Sequence, residues 1–122
     1  MCQLFIQAEQ DLWTSKTRSL RIDGVVTSIR LECFFWETLE EIAERDSLTV
    51  NQMITRLYRE SLEAQHDISN FTSFLRVCCG RYLSLIADGA ISRDRNSPLS
   101  EVDVECILAE ERHREVLRTT IY

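Results

Sequence analysis

The segment from Thr17 to Leu31 constrains the fold most strongly, because two runs of alternating polar and apolar residues flank Asp23-Gly24. An Asp-Gly pair in this setting is a favoured two-residue turn of a β-hairpin. Pairing Ile22 with Val25 sorts the side chains onto two faces. One face carries Ser19, Arg21, Val26, Ser28 and Arg30, and the other carries Leu20, Ile22, Val25, Thr27, Ile29 and Leu31. The competing prediction is an extended entry into the second strand without a turn.

Two amphipathic helices are predicted directly after this hairpin. In residues 33–46 apolar side chains recur at helical spacing, and Trp36 is expected in the core. The opposite face of that helix carries four acids that we expect to be solvated: Glu37, Glu40, Glu41 and Glu44. A second helix from Val50 to about Ala64 has the clearest start, because Thr49 and Gln52 have the spacing of a capping box.

Two further helices are predicted toward the carboxyl end. A third helix spans residues 71–87, and Ser-Pro-Leu-Ser at 97–100 opens a last helix that reaches about Arg118. The chain then divides into an N-terminal extension (1–16), a hairpin with three helices (17–87), and a loop with a C-terminal helix (88–122). This organisation predicts a mainly α protein with a short β-ribbon.

The distribution of charge matters more here than its total. The formal net charge is −6, which by itself counts against a nucleic-acid partner. Residues 14–30, however, carry four basic side chains against one acid, whereas residues 31–67 carry three arginines against nine acids. The basic charge is therefore concentrated on the predicted strands, and the acidic charge lies on the helices behind them.

Several functional classes are disfavoured by what the chain lacks. No apolar run approaches the roughly 20 residues that span a bilayer, and the amino terminus shows no secretory signal. We therefore expect a cytoplasmic protein without membrane contact. The five cysteines include no Cys-x-x-Cys pair, and only two histidines are present, so neither a disulfide framework nor a metal site or cofactor is predicted. We expect Cys33, Cys78 and Cys79 to be small buried residues.

An enzymatic function also finds little support. Removal of Met1 would leave Cys2 as an amino-terminal nucleophile. Hydrolases of that design need a large layered sheet, which this chain cannot supply. We therefore expect no catalytic activity.

In its order of elements the chain resembles the ribbon-helix-helix family of prokaryotic dimeric DNA-binding proteins, which includes Arc-type and methionine-repressor-type regulators. The resemblance rests on the strand 26–31 (VTSIRL), the first helix over 35–43 (FWETLEEIA) and the capped start 49–54 (TVNQMI). The run 70–77 (NFTSFLRV) resembles an extra helix of a subgroup of bacterial members. The likeness covers about residues 17–85 and implies a ribbon-helix-helix dimer with additional C-terminal helices.

The resemblance also implies which residues would contact DNA. Alternate outward residues of the strand read bases in this family, and here they are Val26, Ser28 and Arg30. Arg30 suits the two acceptors of guanine, whereas Val26 departs from the usual polar residue and suits a thymine methyl group. The phosphate contacts carried over or expected from charge are Lys16, Arg21, Thr49, Val50 and Asn51. An exposed arginine on a sheet also occurs without any ligand, and that reading stays open for Arg30.

Dimerisation is expected because a strand with two helices would leave part of its core uncovered. A lone protomer would expose Ile29, Leu31, Leu39 and Ile54, so we expect folding to be coupled to homodimerisation through residues 26–31 and the helices of 33–64. The expected function is a sequence-specific transcriptional regulator with its ribbon in the major groove. The alternative is an acidic dimeric interaction module, antitoxin-like or an adaptor, that captures a protein partner through residues 98–118.

Overall fold

The computed structural model describes residues 1–121, the last of them by its backbone alone, and Tyr122, the end of the predicted segment 88–122, lies outside the described residues. The described chain contains one two-stranded antiparallel sheet and five α-helices. In chain order they are α1 (Cys2–Ile6), β1 (Ser15–Ile22), β2 (Val25–Glu32), α2 (Cys33–Arg45), α3 (Val50–Glu63), α4 (Phe71–Ala87) and α5 (Val104–Ile121). Short 3-10 turns at Gln10–Trp13 and Leu99–Glu101 precede β1 and α5.

The β-hairpin is confirmed with its predicted register. Ile22 pairs with Val25 across a turn in which Asp23 (φ 52°) and Gly24 (φ 82°) both adopt positive φ, as a type I′ turn requires. The alternative without a turn is therefore wrong. Val25 differs from the expected apolar face, because it lies beside the turn and is 65% exposed.

The two helices after the hairpin begin at their predicted residues, and α3 has the predicted cap. The hydroxyl of Thr49 accepts from the backbone N–H of Gln52 (3.1 Å), and the N–H of Thr49 donates to the Gln52 side chain (3.0 Å), which completes the capping box. Trp36 is buried in α2, and its indole N–H donates to the carbonyl of Lys16 (2.9 Å). This bond ties α2 to β1 and satisfies the polar atom of a buried aromatic residue.

A single chain buries the residues that we expected a lone protomer to expose, so that expectation is wrong. Each of the four is at most 3% exposed: Ile29, Leu31, Leu39 and Ile54. Leu20 and Ile22 from β1 and Leu75 from α4 belong to the same buried cluster. One strand and two helices would leave these residues exposed, but β1 and α4 cover them within the same chain.

Two further details differ from the sequence-based picture. The last helix begins at Val104, after the 3-10 turn, because the carboxylate of Asp103 accepts from the N–H of Cys106 (3.0 Å) and caps it there. Of the cysteines predicted to be buried, only Cys79 is; Cys33 and Cys78 are half-buried. Burial raises the pKa of the Cys79 thiol to about 12, which keeps it protonated and unreactive.

The prediction that all four acids of α2 are solvated is wrong for Glu41, which is 5% exposed. Its carboxylate accepts from the guanidinium groups of Arg93 (2.9 Å) and Arg95 (3.1 Å), and also from the hydroxyl of Tyr82. The buried Arg45 donates to the carbonyl of Ser97 (3.0 Å) and to the Tyr82 hydroxyl (3.3 Å). This network holds the loop after α4 against α2 and α4.

Glu41→Gln should destabilise the protein, because it removes the buried charge that pairs with Arg93 and Arg95 and that accepts from the Tyr82 hydroxyl. We expect a loss of about 2–4 kcal/mol in the free energy of unfolding, measured by urea denaturation. Glu44→Gln is the matched control, since Glu44 lies on the same helix and is exposed. Equal stability of the two variants would contradict a structural role of the Glu41 network.

Acid should weaken the same network. The hydrogen bond from Arg93, opposed by desolvation and assisted by Tyr82, lowers the pKa of Glu41 from 4.5 to about 2. Because the pKa of Glu41 is lower in the folded state than in the unfolded state, its ionised carboxylate stabilises the fold. This stabilisation is complete above pH 4.5 and is lost as pH falls toward 2. Denaturation at a series of pH values should therefore show a smaller loss of stability across this window in Glu41→Gln than in the wild type.

Candidate nucleic-acid interface

The outward face of the hairpin gathers the three residues expected to read bases. Period-two alternation places Val26, Ser28 and Arg30 on the side of β2 that faces away from the helices, and all three are exposed. Their partners on β1 face the same way: Arg21 lies opposite Val26, Ser19 opposite Ser28 and Thr17 opposite Arg30. The result is an exposed polar surface with two arginines, backed by a buried apolar one.

The outer edge of β2 is open. Ile22 and Val25 flank the two-residue turn, so they form a hydrogen-bonded pair, and such pairs alternate along the hairpin. The peptide groups of Val26, Ser28 and Arg30 therefore point away from β1. Within residues 1–121 no other strand joins this edge, since the sheet contains only β1 and β2. The edge is available to an additional strand.

The start of α3 offers fewer free donors than expected. The N–H of Thr49 is already bonded to the side chain of Gln52. The N–H groups of Val50 and Asn51 find no acceptor in the described chain, as is usual for the first turn of a helix. The side chain of Val50 is buried, so only its backbone could reach a ligand, whereas Asn51 is exposed.

Arg21 leaves β1 on the outward face, but β1 is an edge strand, and Arg21 also lines a shallow cleft between this strand and the start of α3. The cleft is lined mainly by polar and basic side chains: Arg21, Leu48, Asn51, Gln52, Thr55, Arg56 and Arg59. The structure therefore brings together Arg21 and Asn51, two of the predicted phosphate contacts. Sequence analysis missed Arg56 and Arg59, although Arg59 lies two turns after Asn51 on one face of the helix.

Lys16 is separated from the other predicted contacts. Its side chain has the parity of Leu20 and Ile22, so it leaves β1 on the helix side rather than on the exposed polar face. There it lines a depression with the acids Glu37 and Glu40. The nearby Arg18, which pairs with Glu40 (2.9 Å) and lies over the ring of Trp36, is also held by α2.

Arg76 is also paired within the chain. Its guanidinium binds both carboxylate oxygens of Glu32 at 3.0 Å, which joins α4 to the end of β2. The bond from Arg76 lowers the pKa of Glu32 and raises that of Arg76, so both groups stay ionised at neutral pH.

Comparison with known proteins identifies the domain. A family model described as a ribbon-helix-helix domain matches residues 15–83, more than half of the chain. The chain belongs to the ribbon-helix-helix family. Its structure is similar to that of an uncharacterized protein from Bordetella pertussis Tohama I, with a TM-score of 0.85, 49% sequence identity, and coverage of 88% of this chain and 86% of that chain. No curated protein matches the sequence.

Membership of the ribbon-helix-helix family confirms the predicted fold class and indicates the general class of function. The ribbon-helix-helix domain is generally a non-enzymatic fold of DNA-binding regulators. The antiparallel hairpin, the capped α3 and the further helices agree with a ribbon-helix-helix domain that carries additional C-terminal helices. Among residues 1–121 no helix is both long and apolar enough to cross a membrane, and no three potential metal ligands cluster.

Proposed function

We propose that this protein is a sequence-specific transcriptional regulator that binds DNA as a homodimer, with paired β2 strands in the major groove. One observation carries the proposal: the exposed polar face of the hairpin, with Val26, Ser28 and Arg30, lies directly beside an open strand edge. As part of the same proposal, the protein acts in the bacterial cytoplasm without a cofactor and has no catalytic activity.

The open edge suggests how two copies would pair. The outward peptide groups of Val26, Ser28 and Arg30 are centred on Ser28, so a two-fold axis at Ser28 places Val26 opposite Arg30 of the partner subunit. The hairpins then form one four-stranded sheet with the two β2 strands at its centre. Two-fold symmetry of the protein predicts a palindromic or repeated DNA site.

The chemistry of the face supports base reading. Arg30 makes no hydrogen bond or ion pair with the described residues, so its guanidinium is available for the O6 and N7 acceptors of guanine. Ser28 can donate or accept, and the exposed Val26 offers methyl groups to thymine. Such contacts specify sequence, because each base pair presents a distinct pattern in the major groove.

Phosphate contacts are proposed around the start of α3. The N–H groups of Val50 and Asn51 and the side chain of Arg21 would hold the DNA backbone, while Thr49 keeps the helix start in place through its capping box. We do not extend this role to Lys16, because its side chain lies on the helix side of the hairpin near acids. Contacts of this kind set the position of the protein on DNA rather than its sequence preference.

A second candidate function follows from α5. This helix exposes apolar side chains while ion pairs hold it to α4: Glu111 binds Arg81, and Arg114 binds Asp88 (2.7 Å). The apolar residues at least 39% exposed are Val104, Leu108, Val116 and Leu117. An acidic dimer that captures a protein partner through residues 98–118 is the corresponding alternative, either antitoxin-like or as an adaptor.

Ser28→Pro should prevent dimerisation without unfolding the chain. The N–H of Ser28 points to the open edge, so proline removes a donor that β1 does not use. We expect a folded monomer by analytical ultracentrifugation where the wild type is a dimer. Thr27→Pro is the control that should damage the hairpin itself, because Thr27 pairs with Leu20 through hydrogen bonds. A Ser28→Pro variant that remains a dimer would exclude pairing through this edge.

Arg30→Ala should lower affinity for the selected DNA site and relax its sequence preference. One bidentate arginine–guanine contact provides about 1–3 kcal/mol of discrimination per site, so the loss should appear in fluorescence anisotropy as a reduced ratio of specific to random DNA binding. Arg30→Lys keeps the charge and should recover non-specific binding but not the full ratio.

The control for the two Arg30 variants is Arg112→Ala, which removes an exposed charge from α5. If the wild type bound no DNA at low salt, and a partner bound residues 98–118 instead, the interaction module would be the correct function.

A further inference from the structure

The extra strand β1 creates a cleft that a strand followed only by two helices would not have. Arg21 from β1 forms one side, and the exposed face of α3 forms the other with Arg56 and Arg59. Leu48 contributes an apolar residue to the lining, and the cleft encloses about 350 Å³. Three arginines from two elements thus line one open space.

The width of the paired sheet determines where this cleft would lie on DNA. Four strands spaced by about 4.8 Å put roughly 14 Å between the outer strand axes, whereas the major groove is about 12 Å wide. The two central β2 strands can enter the groove, but the two β1 strands cannot follow to the same depth. Each β1 strand is therefore expected to lie over a phosphate backbone at the edge of the groove.

The charges of the cleft favour an anion. Arg56 and Arg21 form no ion pair among the described residues, and the acid bonded to an arginine of the cleft is Asp23, which accepts from Arg59 (2.9 Å). Asp23 and Arg59 are both more than half exposed, so solvent weakens their attraction. The cleft thus carries three guanidinium groups against one exchangeable carboxylate.

We propose that Arg21, Arg56 and Arg59 form a phosphate clamp that holds one backbone phosphate at each edge of the major groove. This inference rests on the proposed function, since it assigns a further partner group to the same DNA-bound dimer. In the free protein, the carboxylate of Asp23 accepts a hydrogen bond from the guanidinium of Arg59. DNA phosphate competes with Asp23 for that guanidinium, so Asp23 limits non-specific binding.

The test measures binding to short random-sequence duplexes by fluorescence anisotropy at salt concentrations between about 0.05 and 0.2 M. Arg56→Ala should reduce the slope of log affinity against log salt by up to about 0.9 per clamp, hence by up to about 1.8 per dimer, because each clamp holds one phosphate. It should weaken binding roughly tenfold on all sequences, because a phosphate contact reads no base. Arg56→Lys should preserve the slope, and Arg112→Ala is the matched loss of charge on α5.

Asp23→Asn provides an independent test with the opposite sign. Asparagine also tolerates the positive φ of this turn, so the hairpin should persist. Without the Asp23 carboxylate, the guanidinium of Arg59 can bind phosphate without competition. We therefore expect binding to random DNA to tighten several-fold, with a steeper slope of log affinity against log salt. Arg59→Ala should abolish this gain when it is combined with Asp23→Asn.

The outcomes separate this inference from the proposed function. If Arg30→Ala reduces specific binding while Arg56→Ala and Arg59→Ala keep the wild-type salt slope, the clamp is wrong and the base-reading face stands. If the clamp variants lose slope while Arg30→Ala leaves the specificity ratio unchanged, the clamp stands and base reading is wrong. A wild type that binds no duplex at low salt overturns both. Thermal unfolding of each variant excludes loss of fold as the cause.

Discussion

The packing of one hairpin face against α2 and α3 is the interaction on which the rest of the structure depends. Ile29 and Leu31 are buried with Trp36 and Leu39, and the side-chain period of two then fixes which residues point outward. A slip of one residue would turn Ser28 and Arg30 toward the core and expose Ile29, so burial of the apolar set specifies the register. The orientation of the proposed DNA-reading face is therefore a consequence of core packing.

Because β1 and α4 help to bury the core within one chain, dimerisation is not needed to complete the core. When one chain buries its own core, a second copy is not needed to shield Leu39 or Ile54 from water. Pairing would then be governed by backbone hydrogen bonds along the edge of β2, each of which contributes only about 0.5–1.5 kcal/mol net. A dimer of this kind would depend on protein concentration, and on DNA that holds both copies, more than a dimer with an intertwined core would.

Local signals made the hairpin and α3 predictable, whereas long-range contacts did not. The Asp23-Gly24 turn and the box between Thr49 and Gln52 involve neighbours in sequence, and the structure reproduces both. Glu41 instead bonds arginines more than fifty residues away, and its position on the polar face of α2 gives no sign of burial. The cleft at β1 required the same kind of information, because Arg56 and Arg21 line one cleft only after the helix packs against the strand.

The uneven distribution of charge explains how an acidic protein can present a basic surface. The net charge of −6 arises from carboxylates that lie mainly on the helices, whereas the outward face of the hairpin carries Arg21 and Arg30. At physiological ionic strength charges farther apart than about 8 Å are largely screened, so DNA at the hairpin would respond mainly to the local arginines. The acids on the helix side would instead disfavour approach from the wrong direction and so help to orient the protein. Among the residues that the structure describes, the ion-paired acids are Asp23, Glu32, Glu40, Glu41, Asp88, Glu110 and Glu111.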